Sequence, residues 1–259
     1  MAMRSKPNPA VVAYTLSERE LVRFLRQPNR VFGALGQPII FWLLFSQGFS
    51  GLESSQLDAR FFFPGTLVMI LLFTAIFSTI SIIEDRREGF LQSVLVAPIP
   101  RWSMVLGKVL GGTALALLQG LLFLALGWLT LGIRLGLVAM AAAVAMIALV
   151  SFALTALGFL IAWRMDSTQG FHAIMSVLLL PMWLLSGAFF PGEAGWLGWI
   201  VRINPLSYGV YGLRRILQFD DVAAAPSLAI CWLVTLAFAA ITFMLATRIA
   251  AKRTTGDLL

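Results

Sequence analysis

Charge is scarce in this chain. Only 12% of its 259 residues are Asp, Glu, Lys or Arg, against roughly 25% in a soluble domain. With 59% hydrophobic residues and a mean hydropathy of +0.89, this excludes a water-soluble globule and indicates an integral membrane protein. Sulfur and imidazole are scarcer still. A single cysteine, Cys231, rules out a disulfide framework. Together with a single histidine, His172, it cannot form a metal centre that needs three or four such ligands. No G-x-x-x-x-G-K-[ST] string occurs, and the nearest match, Gly107-Lys108-Val109, has the wrong spacing. The chain therefore has no P-loop to cradle nucleotide phosphates. No ionisable residue is expected deep in an apolar run, which removes one of the two usual kinds of site in a proton- or sodium-coupled carrier, the other being a broken-helix ion site. His172 and Ser186 share one run but stand about 20 Å apart along a helix, too far for a base and its nucleophile. No catalytic set is legible, and the chain reads as a non-enzyme.

What is abundant is apolar sequence. Six runs, 31–49, 61–83, 104–131, 137–163, 170–190 and 226–247, approach or exceed the roughly 20 residues that cross a bilayer. The expected fold is all-α, with six transmembrane helices in one membrane domain, 31–259, behind a cytoplasmic N-terminal segment, 1–30. The third and fourth runs are long enough to require tilt or a kink. Arg4 and Lys6 precede mostly polar residues and no short apolar core, so no cleavable signal is expected. With the N-terminus inside, 14 of the 19 Lys and Arg fall on the cytoplasmic side, which favours cytoplasmic placement of both termini. The net charge of +7 is then a matter of topology and implies no nucleic-acid partner.

Three polar interruptions stand out. Ser17 and Glu20 have capping-box spacing, so a helix is expected to start at Ser17 and stop before Pro28. Arg19, Arg23, Arg26 and Arg30 share one face of it, as on an amphipathic helix whose arginines meet anionic lipid or a partner protein. The second interruption is Glu84-Asp85-Arg86-Arg87-Glu88-Gly89, a charge run that hydrocarbon cannot hold. Phe90, Leu91, Val94 and Leu95 follow at helical spacing, and Pro98 and Pro100 end the segment. Residues 84–97 thus read as a short amphipathic helix on the cytoplasmic surface. Arg101, Trp102 and Lys108 mark the return to the headgroups. Gly107 and Gly111 beyond it are spaced for close helix packing within the chain. The third interruption, 191–217, is too polar to span and too apolar for a free loop. It reads as two half-helices dipping into the outer leaflet, broken at Asn204-Pro205 and carrying Tyr208 and Arg214.

In order and spacing these segments resemble the membrane permeases of type-2 ATP-binding-cassette (ABC-2) exporters. The resemblance rests on Glu84…Arg87-Glu88-Gly89-Phe90-Leu91, Pro98-Ile99-Pro100-Arg101 and Leu106-Gly107-Lys108. It rests also on Leu185-Ser186-Gly187, Phe190-Pro191, Asn204-Pro205-Leu206-Ser207-Tyr208 and Leu213-Arg214-Arg215-Ile216-Leu217. Arg26-Gln27-Pro28 and Gln37-Pro38 look like the drug-resistance and nodulation-factor export branches. The resemblance implies a half-transporter in the plasma membrane, the inner membrane of a bacterium. It implies a homodimer, with spans one and five at the interface, served by two copies of a separate ABC ATPase. ATP and Mg would be bound by that partner, and this chain would carry no cofactor. Residues Glu84, Asp85, Arg86, Arg87, Glu88, Phe90, Leu91, Val94 and Leu95 would form its coupling helix, flanked by the interfacial helix with Ser17, Arg19, Glu20, Arg23 and Arg26. Asn204, Pro205, Tyr208 and Arg214 would belong to an external re-entrant gate. The apolar spans suit an amphipathic or lipid-like substrate. A second reading stays open, in which a membrane assembly or signalling protein docks a cytoplasmic partner without transport.

The topology is directly testable. A cysteine at Ser93 is expected to resist a membrane-impermeant thiol reagent added outside intact cells, and one at Ser207 to react. The reverse pattern overturns the orientation.

Overall fold

A computed structural model describes residues 8–49, 59–189, 195–219 and 226–252. All secondary structure among the described residues is helical. The helices are α1 (Pro9–Leu25), α2 (Pro28–Phe49), α3 (Ala59–Arg87), α4 (Phe90–Val96), α5 (Arg101–Leu131), α6 (Leu137–Ala162), α7 (Thr168–Ile174), α8 (Leu180–Trp183), α9 (Gly195–Ile203), α10 (Pro205–Ile216) and α11 (Leu228–Ala251). Arg4, Lys6 and Arg253 of the charge count, and the Phe190-Pro191 pair, lie outside the described residues.

Five rods are long and apolar enough to cross a membrane: α3, α5, α6, the stretch Thr168–Ala188 and α11. The first expected span falls in α2, whose apolar core is shorter, Leu35–Phe45. The reason lies in its first turns, where Asn29, Arg30, Gly33, Gly36 and Gln37 dilute the apolar run.

α3 forms the axis of the molecule. It is apolar on every side, and a helix of that kind must be covered on every side. α2, α5, α6 and α10 pack around it and bury a continuous run from Phe61 to Leu72. α11 lies against α6 and leaves Leu233, Leu236, Ile241 and Met244 facing outward, as a lipid-facing helix does. Buried hydroxyls in these rods bond to carbonyls of the preceding turn, as Thr113 does to Val109 and Ser151 to Ile147. Thr74 bonds the Ile70 carbonyl in the same way and also reaches across to Gln119, joining α3 to α5.

α1 begins earlier than its capping-box spacing suggests. Asn8 accepts from the Ala10 N–H at 3.0 Å and Pro9 occupies the first helical turn, so the helix starts there. Ser17 sits in mid-helix, because nothing between Pro9 and Ser17 interrupts the run. α1 lies along α5. A Cβ at Gly107 would stand 2.7 Å from the Ala13 carbonyl oxygen, and one at Gly111 would stand 2.7 Å from the Glu20 Cβ. The two glycines thus admit α1 to the flank of α5 within the chain.

The fifth rod is irregular. π-helical turns at Met175–Leu179 and Leu184–Ala188 bracket Pro181, which has no N–H to donate. Leu185 and Gly187 leave helical geometry, the latter at φ +75°. Beyond it, α9 and α10 meet at Asn204, where the sequence places a break.

Ser207 is buried inside α10, so the outside probe belongs at Arg202, which is exposed and is expected to label when changed to cysteine. Closing the α1–α5 contact is the second test. Gly111→Leu is expected to destabilise the protein by about 1–3 kcal/mol through overpacking, read by unfolding in mild detergent.

Candidate functional site

α1, the last turns of α3, α4 and the first turns of α5 converge at one end of the molecule, on a cluster of charges. Its centre is Asp85, fully buried near the end of α3. Arg19 grips both its carboxylate oxygens at 2.7 and 3.1 Å, and Arg23 donates to Oδ1 at 2.6 Å. The Lys108 ammonium, from the second turn of α5, also bonds Oδ2 of Asp85 and donates to Glu20 Oε1 at 2.6 Å. Arg23 reaches on to Glu84 at 2.9 Å and Glu88 at 3.3 Å. Three cations thus face four carboxylates. Burial opposes the charge on Arg19, but the hydrogen bond and field of Asp85, with Glu20 and Glu88 beyond, raise its pKa above the ordinary value.

The arginine face of α1 therefore turns to the carboxylates of α3. Arg19 and Arg23 are engaged there, while Arg26, at the end of the helix, is exposed. An open groove of about 560 Å³ runs beside it, lined by Arg19, Val22, Arg23, Arg26, Gln27 and Glu88. Arg86 donates to the Trp163 and Met165 carbonyls at 2.5 and 3.2 Å, and Arg87 donates to the Asp166 carbonyl at 3.0 Å. These two arginines bind the end of α3 to the turn after α6. Of the charge run, Arg87 and Glu88 present the most surface to solvent.

α4 leaves α3 through Gly89, whose φ of +76° lies in the left-handed region that favours glycine. Its apolar stripe faces inward. Leu91 is buried, the Phe90 ring lies 3.8 Å beneath the Arg19 guanidinium, and Val94 and Leu95 pack on the core. Gln92, Ser93 and Val96 remain exposed, Val96 at 78%. The expected stripe is present, but the chain itself covers it.

The sequence reading placed Lys108 only at the headgroups and gave it no partners. It lies seven residues beyond Arg101, inside a long apolar helix, and is buried. That position was the available signal, because a lysine two turns into an apolar span requires a carboxylate.

The opposite end holds the four expected gate residues. Pro205 opens α10. Asn204 accepts from the Leu206 N–H and donates to the Met182 and Leu185 carbonyls at 2.5 and 3.1 Å. It thus takes up carbonyls that the irregular fifth rod leaves open. Arg214 is buried, donates to the Phe61 and Gly187 carbonyls at 3.1 and 3.3 Å, and lies 4.3 Å over the Phe61 ring. Tyr208 donates to the Arg202 carbonyl. Trp183 donates to the Gly65 carbonyl at 2.8 Å, tying the fifth rod to α3.

Residues 12–218 match the family described as ABC-2 type transporter. The ycf38 protein of Cyanophora paradoxa is 28% identical over 226 residues, which cover 83% of this chain and 77% of that protein. The daunorubicin resistance ABC transporter permease protein DrrB1 of Streptomyces coeruleorubidus is 26% identical, over 77% of this chain and 72% of its own length. The linearmycin resistance permease protein LnrN of Bacillus subtilis is 26% identical, over 74% of this chain and 49% of its own length.

The hydrogen bonds at the outer break yield a stability test. Asn204→Ala, which strands two carbonyls and one N–H, is expected to destabilise the protein by about 1–3 kcal/mol. Asn204→Asp keeps the acceptor but sets a buried carboxylate against the same two carbonyl oxygens, so it should recover none of that loss. Unfolding in mild detergent measures both variants.

Proposed function

The chain belongs to the ABC-2 type transporter family, and from that membership we propose that this transport permease subunit works in an ATP-driven exporter. Two copies form the substrate pathway, and two copies of a separate ABC ATPase bind the cytoplasmic face, carrying the ATP and Mg. The absence of a P-loop from the sequence supports this division of labour. α2 supplies a sixth crossing, and the even count leaves both termini in the cytoplasm of a cell bounded by this plasma membrane, the inner membrane of a bacterium. Antibiotic resistance in the names of two relatives supports an amphipathic or lipid-like substrate.

The observation that carries the proposal is the seating of α4. It is held on its inner side by Leu91, and by Phe90 beneath Arg19, and it offers an outer edge of Glu88, Gln92, Ser93 and Val96. A helix fixed to the membrane rods on one side and open on the other can transmit a push. Closure of the ATPase pair on ATP presses that edge, and Asp85 and its cations carry the displacement into α1, α3 and α5. At the far end Asn204 and Arg214 hold α10 against the fifth rod and Tyr208 joins α10 to α9, and with Pro205, which opens α10, they form the outer gate.

Two variants test the contact. Glu88→Arg and Val96→Asp change exposed positions and should leave the permease inserted. Each is expected to weaken ATPase capture by roughly tenfold, the effect of a contact worth about 1.4 kcal/mol. Leu91→Asp is less informative, because Leu91 is buried and its loss disturbs the permease itself. Unchanged capture and ATP hydrolysis in both variants would remove α4 from the interface. If native membranes yield no co-purifying ATP-binding subunit, the exporter reading fails and docking without transport takes its place.

A further inference from the structure

The contact between α1 and α5 has more fixings than burial of an amphipathic helix requires. Ser103, Gly107 and Gly111 recur every fourth residue along one face of α5. The Ser103 hydroxyl donates to the Pro9 carbonyl at 2.6 Å, and the two glycines let the helices touch. Lys108, beside this face, bonds both Glu20 of α1 and Asp85 of α3. Among the charges of the cluster, it alone comes from α5. It also offsets part of the negative charge of the cluster. Without it, Arg19 and Arg23 face Glu20, Glu84, Asp85 and Glu88, two of which are buried.

Stability alone gives little reason for such a cluster, since well-packed apolar residues often serve a buried site as well or better. Charges joined across three helices do something packing does poorly, because they accept one relative orientation and penalise others. We propose that Lys108 is a positioning residue for energy coupling, fastening α5 to α1 and to the end of α3 that carries α4. The proposal rests on the reading of this chain as an ATPase-driven permease. A push on α4 then moves the inner ends of three helices as one body. Without the ammonium, α1 and α4 shift independently of α5 and the push is dissipated.

The test uses the full chain in lipid nanodiscs, alone and with its co-purified ATPase. Nitroxides at Leu118→Cys in α5, paired in turn with Tyr14→Cys in α1 and with Val96→Cys in α4, all exposed positions, report the separation of α5 from each. The variants are Lys108→Met and, in case that one fails to fold, Glu20→Gln/Lys108→Met, which removes one charge of each sign. In the permease alone, a single narrow distance distribution is expected with Lys108 present and a broadened one in either variant. Unchanged width in the folded variants overturns the proposal. In the complex, moved into sealed liposomes, ATPase capture should persist while the amount of a fluorescent amphipathic dye moved per ATP hydrolysed falls by about tenfold, within the range of coupling between distant sites. A purely structural role would reduce the amount of folded protein and leave that ratio unchanged, and that result also overturns the proposal. If the wild-type chain captures no ATPase, the exporter reading fails separately, and the distance measurement still decides whether Lys108 fastens the helices.

Discussion

A carboxylate without access to water organises one end of this protein. Asp85 is fully buried, and an isolated ion in that position would carry a desolvation penalty of several kcal/mol. Arg19, Arg23 and Lys108 neutralise it, and they can do so only if α1 lies flat against α5 and α3. That requirement accounts for otherwise unrelated features. Gly107 and Gly111 lack side chains where α1 must approach. α1 starts at Pro9, so its fourth turn reaches the end of α3. Gly89 turns the chain sharply, so that Phe90 comes to rest under the guanidinium already fixed on Asp85.

The opposite end solves a different problem with different groups. There the difficulty is open backbone, created where Pro181, two π-helical turns and Gly187 interrupt the fifth rod. In an apolar environment each unsatisfied carbonyl is expensive, so irregular backbone persists only where protein donors reach it. Asn204 and Arg214 from α9 and α10 meet that need, with Trp183 bonding α3 from the rod itself. Between the two ends, hydroxyls bond within their own helices and small residues close the gaps. The molecule therefore has one ionic end, one carbonyl-bonded end and an apolar middle that joins them.

Much of this was legible in the sequence, and what was not shares one cause. Composition and apolar runs gave the class and five of the rods, and Asn204-Pro205 gave the break between α9 and α10. Periodicity shows that a helix has two unlike faces but not what covers either. The arginine face of α1 reads equally as a lipid contact or as a partner for buried carboxylates. The stripe of Phe90, Leu91, Val94 and Leu95 reads equally as an exposed dock or an internal one. The start of α1 was misplaced for a related reason, since Ser17 and Glu20 satisfy a capping pattern that a helix already under way ignores. Lys108 was set at the headgroups because its carboxylates lie 23 and 88 residues away in sequence.

The inward stripe alters how the surface helix should be understood. If Leu91 and its neighbours were the docking surface, α4 would be loosely attached until a partner arrived, and a push would first have to seat it. With the stripe already buried and Phe90 pinned beneath Arg19, the helix is a rigid extension of α3. A partner then needs only a modest polar and aliphatic edge, Glu88, Gln92, Ser93 and Val96, to act on a lever that already exists. Contacts of that kind can be made and broken repeatedly, because they strip little apolar surface of water. The inward-facing stripe therefore favours a reversible contact over a permanent one.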